Sequence, residues 1–180
     1  MKKFYLLVLA ILVLSAVSFG QIAYKMGDNN ISGMLGLGGY GGIYGTSTMP
    51  AIAASYEMGY NENISIGGLA GMTGSEYSVF GSWKFKYTYI LIGGRGAYHY
   101  DLLHKDNIDT YAGAMLGYNI VSFSEENPPV SSFISYSASG SYLSYGGFVG
   151  GRYYFTPNLA AQAELGFGIG LLTVGISYKM

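Results

Sequence analysis

His99 and Asp101 stand two residues apart, a spacing that turns both side chains to one face of a β-strand. A base and the carboxylate that orients it share that relation in Ser-His-Asp chemistry, but the pattern places no serine beside them. His104 falls in a polar turn, and no His-x-His or His-x-x-x-His spacing offers a metal a pair of ligands. Cysteine is absent, which removes thiolate catalysis, disulfides and Cys-ligated zinc. The glycine tract from Gly36 to Gly41 lacks the Lys-Ser/Thr ending and the following helix that a phosphate loop needs. That leaves four charges of opposite sign: Glu57, Arg95, Arg152 and Glu164. Arg forks and carboxylates facing one another pair bidentately, a structural chemistry more than a reactive one. No catalytic residue, cofactor or metal follows from these residues.

The elements that carry them are strands. Only 11% of the 180 residues are charged, the net charge is −1, and there are 29 glycines, 19 tyrosines and 4 prolines. A disordered chain would be more charged and poorer in aromatics, and nothing basic enough for nucleic acid is present. Lys2 and Lys3 precede an apolar stretch from Phe4 to Leu14 and small residues at Ser18 and Gly20, so 1–20 reads as a signal peptide and 21–180 as one exported domain. The stretch is too short for a spanning helix.

Beyond it, apolar residues recur with period 2 in eight segments. They begin with Leu35, Leu37 and Ile43, and end with Leu172, Val174, Ile176, Tyr178 and Met180. Short polar turns are expected at 60–63, 104–107 and 156–158. Longer loops are expected at 45–50, 73–83 and 122–140, with a very tight connection near 168–170. Short turns on one side and long loops on the other predict an all-β, eight-stranded antiparallel transmembrane β-barrel, an up-and-down meander.

The parity opposite the apolar sets carries Ser55, Glu57, Arg95, His99, Asp101, Asp109, Asn119, Arg152, Gln162 and Glu164. A water-facing surface would be richer in Lys and Glu, so this parity is assigned to the lumen, where Glu57, Arg95, Arg152 and Glu164 form an ionic network. Tyr87, Tyr89, Tyr142, Phe148 and Tyr154 share it and fill space beside the glycines. Lys84 and Lys86 fall on the apolar parity and are placed above the membrane. Tyr60, Tyr98, Tyr100, Tyr153, Phe155 and Tyr178 cluster at the ends of the even-numbered segments, where they would form a periplasmic aromatic girdle.

The tracts 111–119 and 147–158, and the ending from Val174 to Met180, resemble strands of the small OmpA/OmpX-like outer-membrane β-barrel proteins, in particular those of Bacteroidota-type bacteria. The resemblance implies an outer-membrane location, contact with lipid and lipopolysaccharide, and a monomer. It also implies that Val174, Ile176, Tyr178 and Met180 form a C-terminal signal for the barrel-assembly machinery, though Met180 stands where that family usually has Phe. It fixes no activity. The reading is a non-enzymatic envelope protein with a side-chain-filled lumen whose long loops meet the environment; the alternatives are a low-conductance porin-like channel, a lipopolysaccharide-modifying enzyme and a soluble carrier with inverted faces.

Overall fold

The computed structural model describes residues 23–38, 46–79, 83–126 and 138–180. The expected signal peptide, the end of the glycine tract at 39–41, Ile43 and the middle of the 122–140 loop lie outside them. The described residues form eight strands: β1 (Asn29–Leu37), β2 (Thr46–Gly59), β3 (Ile64–Val79), β4 (Trp83–His99), β5 (Ile108–Glu126), β6 (Ala138–Tyr154), β7 (Leu159–Gly166) and β8 (Leu172–Lys179). Each pairs antiparallel with its sequence neighbours, and β1 closes on β8 with Ile31 opposite Tyr178. The chain is a closed up-and-down barrel, which leaves no bare edge where the wall is complete.

Alternation sets the two faces. Leu35, Ile52, Ile92, Leu116, Val149, Leu165 and Ile176 are all exposed on the outside. Ser32, Glu57, Arg95, Asn119, Arg152 and Ser177 are buried within. A water-soluble barrel would reverse this assignment. In β2 the register shifts between Ser47 and Ile52, around Pro50. Proline has no N–H to donate, so the ladder bulges there.

The turns at one end are short and chemically specified. Between β2 and β3, Asn61 Oδ1 accepts the N–H groups of Asn63 and Ile64 at 2.8 and 2.7 Å, an Asx turn. Between β6 and β7, Thr156 Oγ1 does the same for Asn158 and Leu159. His104 takes a positive φ of 52° in the β4–β5 turn.

At the other end the wall is uneven. β5 has 19 residues and β4 and β6 have 17, whereas β7 and β8 have 8 each. Much of what reads as loop is therefore strand: 73–79, 122–126 and 138–140 pair in register, and 46–50 pairs across the shifts in β2. Small, polar and aromatic residues mix along these stretches of sequence, and the period-2 signal fades. β1 likewise starts at Asn29, earlier than its apolar residues suggest, since Gly33 interrupts their spacing.

Candidate functional site in the barrel lumen

The lower lumen, toward the short turns, holds a connected ionic layer. Arg152, from β6, is only 1% exposed. Its Nη2 lies 2.6 Å from Glu57 Oε2, its Nη1 3.2 Å from Asp109 Oδ2, and its Nε 3.3 Å from Gln162 Oε1. Arg95, from β4, donates to Glu164 at 2.6 and 3.4 Å, a bidentate fork. Its Nε is 2.8 Å from Glu57 Oε1, an ion pair whose N–H is not aligned as a hydrogen bond. Glu164 also accepts from Tyr111 Oη at 2.8 Å and Gln162 Nε2 at 2.7 Å. Arg95 stacks over Phe148 and Arg152 over Tyr111, so the guanidinium faces meet rings while their edges meet carboxylates. Thus the structure brings together all four candidates, Glu57, Arg95, Arg152 and Glu164, from β2, β4, β6 and β7. Gly150 makes room: a Cβ there would lie 2.8 Å from Glu164 Cγ and 2.9 Å from the Tyr111 ring.

Asp109, on the lumen parity as expected, completes this layer with Ser65 and Tyr24, which strand spacing does not single out. The pairing of His99 with Asp101 does not form, because β4 ends at His99 and Asp101 is exposed in the turn. His99 Nδ1 instead lies 2.7 Å from Asp109 Oδ1, and Nε2 lies 2.9 Å from Ser65 Oγ. Ser65, His99 and Asp109 thus hold the order of a hydrolytic relay. Their surroundings give it another use. Arg152 holds the second oxygen of Asp109, Ser65 is 2% exposed, and the Tyr24 ring lies flat on His99 at 3.7 Å and 3°. The relay braces β3, β4 and β5 against one another.

Tyr24 belongs to a segment that folds across the short-turn mouth before β1 begins. Its hydroxyl reaches the carbonyls of Ile64 at 2.6 Å and Asn61 at 3.0 Å. Burial, with Asp109 and Asp28 nearby, pushes its phenol up to about 12, so it stays a protonated donor at neutral pH. Lys179 Nζ, 3.3 Å from Asp28 and 3.1 Å from the Ala23 carbonyl, ties the same segment to β8.

Above the ionic layer the lumen turns apolar, with aliphatic residues that the lumen parity does not single out. Met34, Ala51, Ala53, Leu69, Leu91, Met115 and Ile169 pack together, each buried. Ile169 comes from the β7–β8 turn, which folds inward and corks the barrel. Gly71 permits this: a Cβ there would meet Ile169 Cδ1 at 2.0 Å. Between the two layers lies a gap of about 30 Å³, bounded by Arg95, Glu164, Phe148, Met115 and Ile169. Higher still, Tyr142 is exposed although it shares the lumen parity and accepts a hydrogen bond from Asn119 at 3.0 Å. Among the described residues β7 pairs with β6 only as far as Phe148, so no strand lies beside Tyr142 on that side.

The aromatic candidates lie around the short-turn end. Tyr60, Tyr98, Tyr100 and Tyr178 are exposed on the outer wall, and Tyr153 and Phe155 are half-buried against each other at 6.4 Å. Val174, Ile176, Tyr178 and Met180 form one outward row on and just beyond β8. No cluster of three or more potential metal ligands occurs among the described residues.

An apolar-outside, ion-filled cylinder of eight meandering strands belongs to the architecture of small membrane-type β-barrels. No protein-family model matches the chain, and no curated protein does. Among solved structures it is similar to Ail, the attachment invasion locus protein of Yersinia pestis, crystallised with the heparin analogue sucrose octasulfate, with a TM-score of 0.54 at 16% identity over 87% of this chain and 100% of that one. The N-terminal β-barrel domain of Pseudomonas aeruginosa OprF matches with a TM-score of 0.56 at 14% identity, over 87% and 100%. Neisserial surface protein A matches with a TM-score of 0.50 at 14% identity, over 85% and 95%. At these identities the likeness is one of fold.

Proposed function

We propose that this chain is a non-enzymatic, monomeric protein of the bacterial outer membrane, exported by the signal peptide at 1–20 and inserted through its C-terminal strand signal, Val174, Ile176, Tyr178 and Met180. Outer-membrane lipid, and lipopolysaccharide on its outward leaflet, are its surroundings. The short-turn end then faces the periplasm, with Tyr60, Tyr98, Tyr100, Tyr153, Phe155 and Tyr178 at headgroup depth. The tall strands β3–β6 stand above the outer surface, and with their loops they carry the envelope-surface role. Lys86 fits this reading, since it lies in the projecting part of β4 opposite Glu76.

The observation that carries the proposal is the filled lumen. A conducting barrel needs a continuous wet path, and here an ionic layer and an apolar cork lie in series with a gap of about 30 Å³ between them. Planar-bilayer recording of the refolded protein tests it. The account expects no steady single-channel steps, and reproducible steps of uniform size would establish the porin-like alternative instead.

A further inference from the structure

The outer wall is not uniformly ridged. One row of directly paired residues runs Tyr98, Ala112, Val149, Leu165, Leu172 across β4 to β8. The next row toward the short turns runs from Tyr100 through Thr110, Gly151 and Ala163. Its three members beyond Tyr100 are small, and Gly151 has no side chain at all. The following row rises again at Ile108 and Tyr153. The result is a valley of about 500 Å³ on the outer surface, with Tyr100 and Leu102 as an exposed lip.

The valley has a direction. Tyr98 and Tyr100 sit at the periplasmic end of β4, whereas Leu165 and Leu172 sit at the opposite ends of β7 and β8. Four interstrand steps give it a span of ~19 Å, about that of an extended acyl chain. At its lower end lies the β4–β5 turn, which gives the valley Leu102; Asp101, Lys105 and Asp106 of that turn are exposed and line the adjoining hollow over the short-turn mouth, which meets the valley at Tyr100 and Thr110. Side chains of both signs stand together there, at the depth where a headgroup would lie.

We infer that this valley binds one acyl chain of a zwitterionic glycerophospholipid from the periplasmic leaflet, with its phosphate toward Lys105 and its ammonium toward Asp101 and Asp106. The inference rests on the membrane reading above, since only in a bilayer does the valley meet lipid. Lipopolysaccharide fits poorly. Its chains descend from the other leaflet, and its multiply anionic head would lie at the end of the valley away from Lys105.

The full-length mature protein, refolded into vesicles of phosphatidylethanolamine and phosphatidylglycerol and then extracted in mild detergent, tests this by native mass spectrometry. The expected result is retention of one phosphatidylethanolamine. Ala163→Phe, which fills the valley floor, lowers the lipid-bound fraction about tenfold. Ala70→Phe, equally lipid-facing on β3 but outside the valley, leaves it unchanged. Ala112→Leu narrows the valley from its other side and serves should Ala163→Phe fail to fold. Equal retention in wild type and valley variants, preferential retention of phosphatidylglycerol or added lipid A, or insertion with no retained phospholipid would each overturn the inference alone. Failure to insert, read as loss of heat-modifiable gel migration, would remove the membrane reading and the inference together.

Discussion

The two layers of the lumen fill the same cylinder by different physics. In the lower one, Arg95 and Arg152 each face two carboxylates and an aromatic ring, and every charge depends on its partners. In the upper one, Met34, Leu69, Leu91, Met115 and Ile169 need only fit. Burying charge costs several kcal/mol per ion before pairing returns it, so the ionic layer contributes orientation and a fixed strand register more than raw stability. The apolar layer contributes a seal.

Removing one ion should therefore hurt more than removing a comparable apolar side chain. Arg152→Ala takes the shared cation from Glu57 Oε2 and Asp109 Oδ2, leaving Glu57 to Arg95 and Asp109 to His99, and a loss of about 3–5 kcal/mol in vesicle-refolded protein is expected from urea unfolding. Leu91→Ala, at a site 2% exposed, is expected to cost about 2–4 kcal/mol. If Leu91→Ala proved the worse of the two, the contrast between the layers would fail. A charge on the outer wall supplies the external control: Leu116→Arg should cost ~2–4 kcal/mol in a bilayer and much less if the wall faced water. Gly71→Ala should cost about 1–3 kcal/mol by driving into Ile169 and crowding Ile52 O and Ala53 Cβ, and Ile169→Ala should recover the part due to the Ile169 contact. A double-mutant cycle showing no coupling would mean that the turn does not cork the barrel. The smallest effect is expected for Tyr24→Phe, which keeps the stack on His99 and loses a hydroxyl contact worth about 1 kcal/mol.

These two layers were not equally legible. The ionic one stands out in the sequence because Glu57, Arg95, Arg152 and Glu164 interrupt runs of small and apolar residues on a constant parity. The apolar one is hidden because its members adjoin outward-facing apolar residues, as in Ile90-Leu91-Ile92, Leu69-Ala70 and Met115-Leu116, which erases alternation. The true partners of His99 were hidden for another reason. Spacing along one strand suggests Asp101, but the hairpin pairs His99 with Tyr111, which brings Asp109 alongside, and pairs Ala97 with Ser65. Register across strands depends on where each turn falls, and His104 with its positive φ sets that turn. The closed eight-strand meander, in contrast, could be read from period and turn chemistry alone.

Everything rests on which side of the wall meets lipid, and β5 offers the most direct test. The chain has no cysteine, so single cysteines at Met115, Leu116, Tyr118 and Asn119 can each carry a spin label in vesicle-reconstituted protein. The account predicts collision with membrane-dissolved oxygen at 116 and 118 and protection at 115 and 119. Labels at 116 and 118 that instead collide with a water-soluble relaxant, while those at 115 and 119 meet oxygen, would contradict it.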